Sequence, residues 1–198
     1  MIRQKTSVVL ESLRLRIKDG ITTAANLGFK GIQIDATQRD ISPENLSQTG
    51  RRDLMRIIDL SNLSLIALGG ELGVGFINHN EFDLIIKRTK EIINLALDLQ
   101  TNIVTVQIGS IPTDKDSTHW HAVNAALSDI GQHAENYGCR LAVKVSYDDY
   151  SKLKDFLISL HTEGIKLIYD PASLMTTNMD PIKGIYELHE YIIHTNLW

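Results

Sequence analysis

The chain has 198 residues, 43% hydrophobic and 22% charged, with a formal net charge of -4. That length suits one sizeable core, and the balance is that of an ordinary globular protein. A slightly acidic chain gains nothing from a phosphate backbone and no apolar run reaches membrane-span length, so neither nucleic acid nor a membrane is an expected partner.

In chain order, short Val- and Ile-rich runs alternate with stretches of helical period. The opening MIRQKTSVVLESLRLRIKDG has charges on both sides of a short apolar run, which is not the pattern of a signal peptide. Within it TSVVLES reads as the first strand, and LRLRIKDGITTAANLG as a helix stopping at Gly28. GIQIDA is a second strand, ending by Asp35. ISPENLSQTGRRDLMRIIDLSN reads as helix, with Ser42 as N-cap, Pro43 at the first helical position and a break at Thr49-Gly50. LSLIALGGELG is a third strand running into a glycine loop, and NEFDLIIKRTKEIINLALDLQ is the longest helix. NIVTVQIGS, RLAVKV, GIKLIYDP and IIHTNLW are strands four to seven. Between them lie the helices HWHAVNAALSDIGQHAENYG, DYSKLKDFLISLH and DPIKGIYELHEY. Cys139, just ahead of strand five, is the single cysteine. It can form no internal disulfide, and a reducing cytoplasm is the expected compartment.

Continuous apolar strands alternating with helices require a parallel sheet covered on both faces, either a barrel or a doubly wound sheet. Polar residues recur at the strand exits: Glu11, Asp35, Gln107, Lys144, Asp170 and Asn196. A barrel gathers its site from many strand ends, whereas an open sheet concentrates it at one switch point. The expected fold is therefore α/β, a single (β/α)8 TIM-barrel-type domain over residues 1–198, truncated to about seven βα units. Truncation leaves two open strand edges, which predicts a homo-oligomer or a barrel-completing partner.

Four segments, NLGFKGIQIDA, LSQTGRRDLMRIIDLSNLSLIALG, LALDLQTNIVTVQIG and YDPASLMTTNMDPIKGIYELHEYIIHTN, resemble the xylose-isomerase-like TIM barrels, in order and over the whole chain. That group is described as sugar phosphate isomerases/epimerases and is related to endonuclease IV. The resemblance implies a sugar or sugar phosphate substrate and a divalent metal (Mg, Mn or Zn) held in the barrel mouth, with metal-assisted proton transfer. Carried over by position, Asp170 matches the metal-binding aspartate of strand six. Lys144 falls where the strand-five glutamate belongs. Asn196 takes the place of a histidine, His194 is kept, and the strand-eight glutamate would lie beyond Trp198. Glu11, Asp35, Gln107, His194 and Asn196 are then the expected substrate-binding residues, with Lys144 and Asp170 the expected catalytic ones.

A lysine at the inner end of a buried strand has no packing reason to be there. Three uses are open to Lys144: an ion pair with Asp170 that spoils the metal site, a Schiff-base nucleophile, or a solvated charge. The first leaves two functions in view. One is an isomerase or epimerase impaired by the missing carboxylates, and the other a non-catalytic degenerate barrel that binds a ligand or partner. GGELGVG matches neither nucleotide-loop spacing, though Glu71 within it is a weak substrate candidate. HWH, His119 to His121, stands at a helix start, where residues two apart do not share a face. His79, His133, His161 and His189 lie away from the strand exits. Arg51 and Arg52 read as a solvated or subunit-contact face of an outer helix.

Overall fold

The computed structural model describes residues 6–70, 82–147 and 149–196. The elements run β1 (Ser7–Val9), a 3-10 turn (Leu10–Leu13), α1 (Ile17–Asn26), β2 (Gly31–Asp35), α2 (Gln48–Leu60), β3 (Ser64–Gly69) and α3 (Phe82–Asp98). They continue with β4 (Ile103–Ser110), α4 (Thr118–Asn136), β5 (Arg140–Ser146), α5 (Tyr150–Ser159), β6 (Ile165–Tyr169), α6 (Pro171–Thr176), α7 (Pro181–Leu188) and β7 (Ile192–Thr195). The strands are ordered in the sheet as in the chain, from β1 to β7. The pairings β1–β2, β2–β3, β5–β6 and β6–β7 are parallel. An order without reversal has no switch point, which separates this TIM-barrel-type α/β fold from a doubly wound sheet.

Several boundaries differ from the sequence expectation, each for a local reason. The first strand ends at Val9 because Leu10–Leu13 turns into a 3-10 helix. Arg14, left-handed at φ 54°, then separates that turn from α1. The N-cap of α2 is Ser47, whose Oγ accepts the Gly50 N–H at 3.2 Å, so Thr49-Gly50 is the first turn of the helix and not a break. Ser42 instead heads an upstream turn, its carbonyl accepting the N–H groups of Asn45 and Leu46. The short α6 was not anticipated. Its signal is legible afterwards, with Asp170 as N-cap and Pro171 at the first helical position.

The chain divides into two compact units. One takes the described residues up to Gly70 together with Glu91–Val104, and the other takes residues 82–90 with those from Thr105 onward. In the first, α2 packs on β3 and α1 on α2, around Ile21, Ile32, Ile34, Ile58 and Leu68, all fully buried. In the second, α4 packs on β5 and β6, and the consecutive Leu141, Ala142 and Val143 are all buried. Burial of neighbours along a strand means that both faces of β5 are covered, which is why its sequence is continuous and not alternating. Among the described residues no helix is long and apolar enough to cross a membrane.

In the second unit backbone packs directly against backbone between Gly131 of α4 and Gly164, the residue before β6. A Cβ on Gly164 would collide with the Gly131 carbonyl, and one on Gly131 would stand 2.5 Å from Thr162 Cγ2. Backbone against backbone cannot give way as a side chain can. Gly164→Ala is therefore expected to lower stability by about 3 kcal/mol, as overpacking does, read as a lower urea midpoint with an unchanged slope.

Candidate functional site

The exits of β5, β6 and β7 carry the polar residues of the second unit. The β6–β7 register sets Ile168 beside His194 and Tyr169 beside Thr195. The Asn196 N–H reaches the Tyr169 carbonyl at 2.9 Å. The register slips between Leu167 and Ile168, so Ile192 pairs with Leu167 while His194 pairs with Ile168. Lys144, Ile168, Asp170 and Ser173 line one small cleft of about 80 Å³, with Tyr147 at its rim.

Within that cleft Lys144 Nζ stands 2.8 Å from Asp170 Oδ2, with side-chain exposures of 28% and 5%. Ser173 completes the carboxylate's shell. Its N–H donates to Oδ1 at 3.0 Å and its hydroxyl to Oδ2 at 2.7 Å. Burial pushes the Asp170 carboxyl upward, but the hydrogen bonds from Lys144 and Ser173 and the lysine's charge outweigh it and hold the group at about 2. His194 is displaced downward by burial, partly offset by its hydrogen bond with the Asn196 side chain, so it is neutral at neutral pH.

This donor set does not fit a divalent cation. Both carboxylate oxygens of Asp170 are engaged, one of them by an ammonium that repels a cation and has donors where a metal needs acceptors. Among the described residues no three His, Cys, Asp or Glu side chains are grouped as ligands.

The first unit has its own carboxylate pair. Glu11, in the 3-10 turn after β1, accepts through Oε1 the Asp35 N–H at 2.8 Å and the Gln38 amide at 3.2 Å. Its Oε2 is buried with no hydrogen-bond partner among the described residues. Burial raises the Glu11 carboxyl, the bond from the Asp35 N–H opposes this, and the charge of Asp35 adds to it. Asp35, at the end of β2, uses Oδ1 to accept the N–H and hydroxyl of Thr37, at 2.8 and 2.7 Å.

The other candidates fall elsewhere. Gln107 is exposed but lies within β4, three residues short of its end at Ser110, so it is not the exit residue expected. Glu71 and His79 lie outside the described residues. Arg51 is an internal tie in place of a solvated charge, ion-paired with Asp98 and donating to the Leu46 and Pro43 carbonyls. Cys139 is buried, and burial pushes its thiol up to about 11, which removes it as a nucleophile. HWH opens α4 as expected. Its central residue, however, lines a cleft of about 530 Å³ at the exits of β4 and β5. Sequence reasoning weighed the flanking histidines and passed over Trp120, just as it passed over Ser173 and Tyr147.

The sequence profile described as "Xylose isomerase-like TIM barrel" matches residues 21–197. No curated protein matches the chain by sequence. Among solved structures, a xylose isomerase domain protein from Planctomyces limnophilus superposes with a TM-score of 0.82 at 16% identity, over 96% of this chain and 72% of its own. A D-tagatose 3-epimerase-like protein gives 0.76 at 17% identity, over 97% and 75%. A D-psicose 3-epimerase determined in the presence of D-fructose gives 0.74 at 11%, over 96% and 71%. At these identities the likeness is one of fold.

Two outcomes are expected from the site. Melted with Mg²⁺, Mn²⁺ or Zn²⁺ in turn, the native chain shows no shift through Asp170, whereas Lys144→Glu, which sets an acceptor beside it, gains about 2.7 kcal/mol at ~100 times the dissociation constant. A shift in the native chain that Asp170→Asn abolishes would refute the misfit. Asp170 also makes stability depend on pH. Its folded value lies below the ordinary 3.8, so its contribution is full above that value and lost as pH falls toward about 2. Asp170→Asn should lack that acid limb in a pH series of urea melts.

Proposed function

This chain belongs to the xylose isomerase-like TIM barrel family, and from that premise we propose that it binds a polyol or a keto or aldo sugar at the exits of β5, β6 and β7. There it acts as an impaired isomerase or epimerase, with Lys144 as its electrophile in place of a divalent metal. The observation that carries the reading is the Lys144–Asp170 pair lining the cleft. Asp170 holds the ammonium in position at 2.8 Å, and the lysine's positive charge stabilises the enediolate-like charge that develops when a neighbouring carbon loses its proton. His194, paired with Ile168 across β6 and β7 and neutral at neutral pH, is the base assigned to that proton. A lone ammonium polarises an oxygen less than a divalent cation does, hence the impairment.

The second reading, a barrel that binds without catalysis, is favoured by the state of Asp170. Held at about 2 with both oxygens engaged, it is no base. The Schiff-base use of Lys144 is the weakest of the three, because an amine held as the cationic partner of a carboxylate has no lone pair for attack.

The discriminating experiment is solvent-deuterium exchange into the carbon beside the carbonyl of a free ketose, followed by proton NMR. The expected result is slow exchange that is indifferent to chelator and falls at least tenfold in Lys144→Gln. Exchange that requires an added metal, or that is as fast in Lys144→Gln, overturns the role given to Lys144. No exchange from a chain that nonetheless binds the ketose establishes the second reading.

A further inference from the structure

The cleft around Lys144 and Asp170, at about 80 Å³, is far below the ~300 Å³ at which pockets for small molecules begin. It can take the reacting end of a sugar and not its body. The larger cleft, about 530 Å³, lies in the same unit, and Ser146 and Tyr147 belong to both walls. No residue assigned above to binding or catalysis lines this second space.

Its walls have a definite chemistry. Trp120 sits in the first turn of α4, where its N–H is capped by Ser117 Oγ at 3.1 Å. The indole meets the ring of buried Phe156 edge to face, with centroids 6.4 Å apart and planes at 82°. That contact fixes the plane of a half-buried indole at the cleft wall. Tyr147 adds a second aromatic surface, and burial pushes its phenol far upward, so it stays a hydrogen-bond donor. The charged rim is balanced: Lys115 and Lys152 against Asp149 and Asp155. Lys115 and Asp155 pair loosely at 3.5 Å, with 66% and 57% of their side chains exposed.

A rim with equal numbers of each sign gives a phosphoryl group no net attraction. Aromatic walls with donors and acceptors around them suit a ligand with an apolar face and a polar edge. The C–H face of a sugar, slightly positive, meets the negative face of an aromatic ring, and its hydroxyls reach the rim. We propose that this cleft seats the body of an uncharged, unphosphorylated monosaccharide against Trp120. The ligand class rests on the function proposed above, and the seat extends that function to residues that the Lys144 cleft does not include.

The test is calorimetric titration of the full chain with D-fructose and with its 6-phosphate. Trp120 emission is recorded in Trp198→Phe protein, where Trp120 is the sole reporter. The free ketose is expected to bind saturably with a change in Trp120 emission, and the phosphorylated one no more tightly. Trp120→Ala should weaken binding at least tenfold, and Trp120→Phe, which keeps an aromatic face, should restore most of it. Tenfold tighter binding of the phosphate ester, or unchanged affinity in Trp120→Ala, overturns the inference. So does deuterium exchange without any Trp120 response, which leaves the proposed activity intact. A Trp120 response without exchange does the reverse.

Discussion

One contact at 2.8 Å, between Lys144 and Asp170, organises the end of the second unit. The same carboxylate neutralises the lysine, caps α6 through the Ser173 N–H and accepts the Ser173 hydroxyl. It thereby joins β5, β6 and α6 at one point. A buried charge is tolerable only with such partners, and these engage both of its oxygens. The chemistry open to the cleft follows from this arrangement. Positive charge is present without a metal, held on a side chain whose position the carboxylate controls.

The two carboxylate clusters show how partners and not residue type set protonation. Glu11 and Asp170 are both withdrawn from water at strand ends. Glu11 receives bonds from neutral amides and faces Asp35, so burial prevails and its carboxyl is shifted upward. Asp170 receives an ammonium, and the opposite holds despite burial.

Much of the fold was readable in the sequence because the period of apolar residues is a local signal. Continuous runs such as Leu141–Val143 mark strands buried on both faces, and alternation with helices implies parallel order. The expectation that Lys144 pairs with Asp170 was available because both are strand exits of neighbouring βα units. Boundaries were less legible. Ser42 with Pro43 and Ser47 with Gly50 are both respectable helix starts, and which one caps depends on where the chain must turn upstream of α2. Asp170-Pro171 carried a cap signal for α6 that was masked by reading Asp170 only as a ligand.

The sequence by itself determined the main strands and helices and their order, since these depend on residue identity and neighbours along the chain. Tertiary structure decided what each exit residue faces. It placed Gln107 inside β4, tied Arg51 to Asp98, and turned Trp120 toward a cleft whose other wall, Phe156, lies 36 positions away in the chain. It also decided protonation, because burial and partners distant in sequence shift Glu11 and Asp170 in opposite directions. Such properties arise from surroundings assembled across loops and helices, and a linear pattern has no term for them.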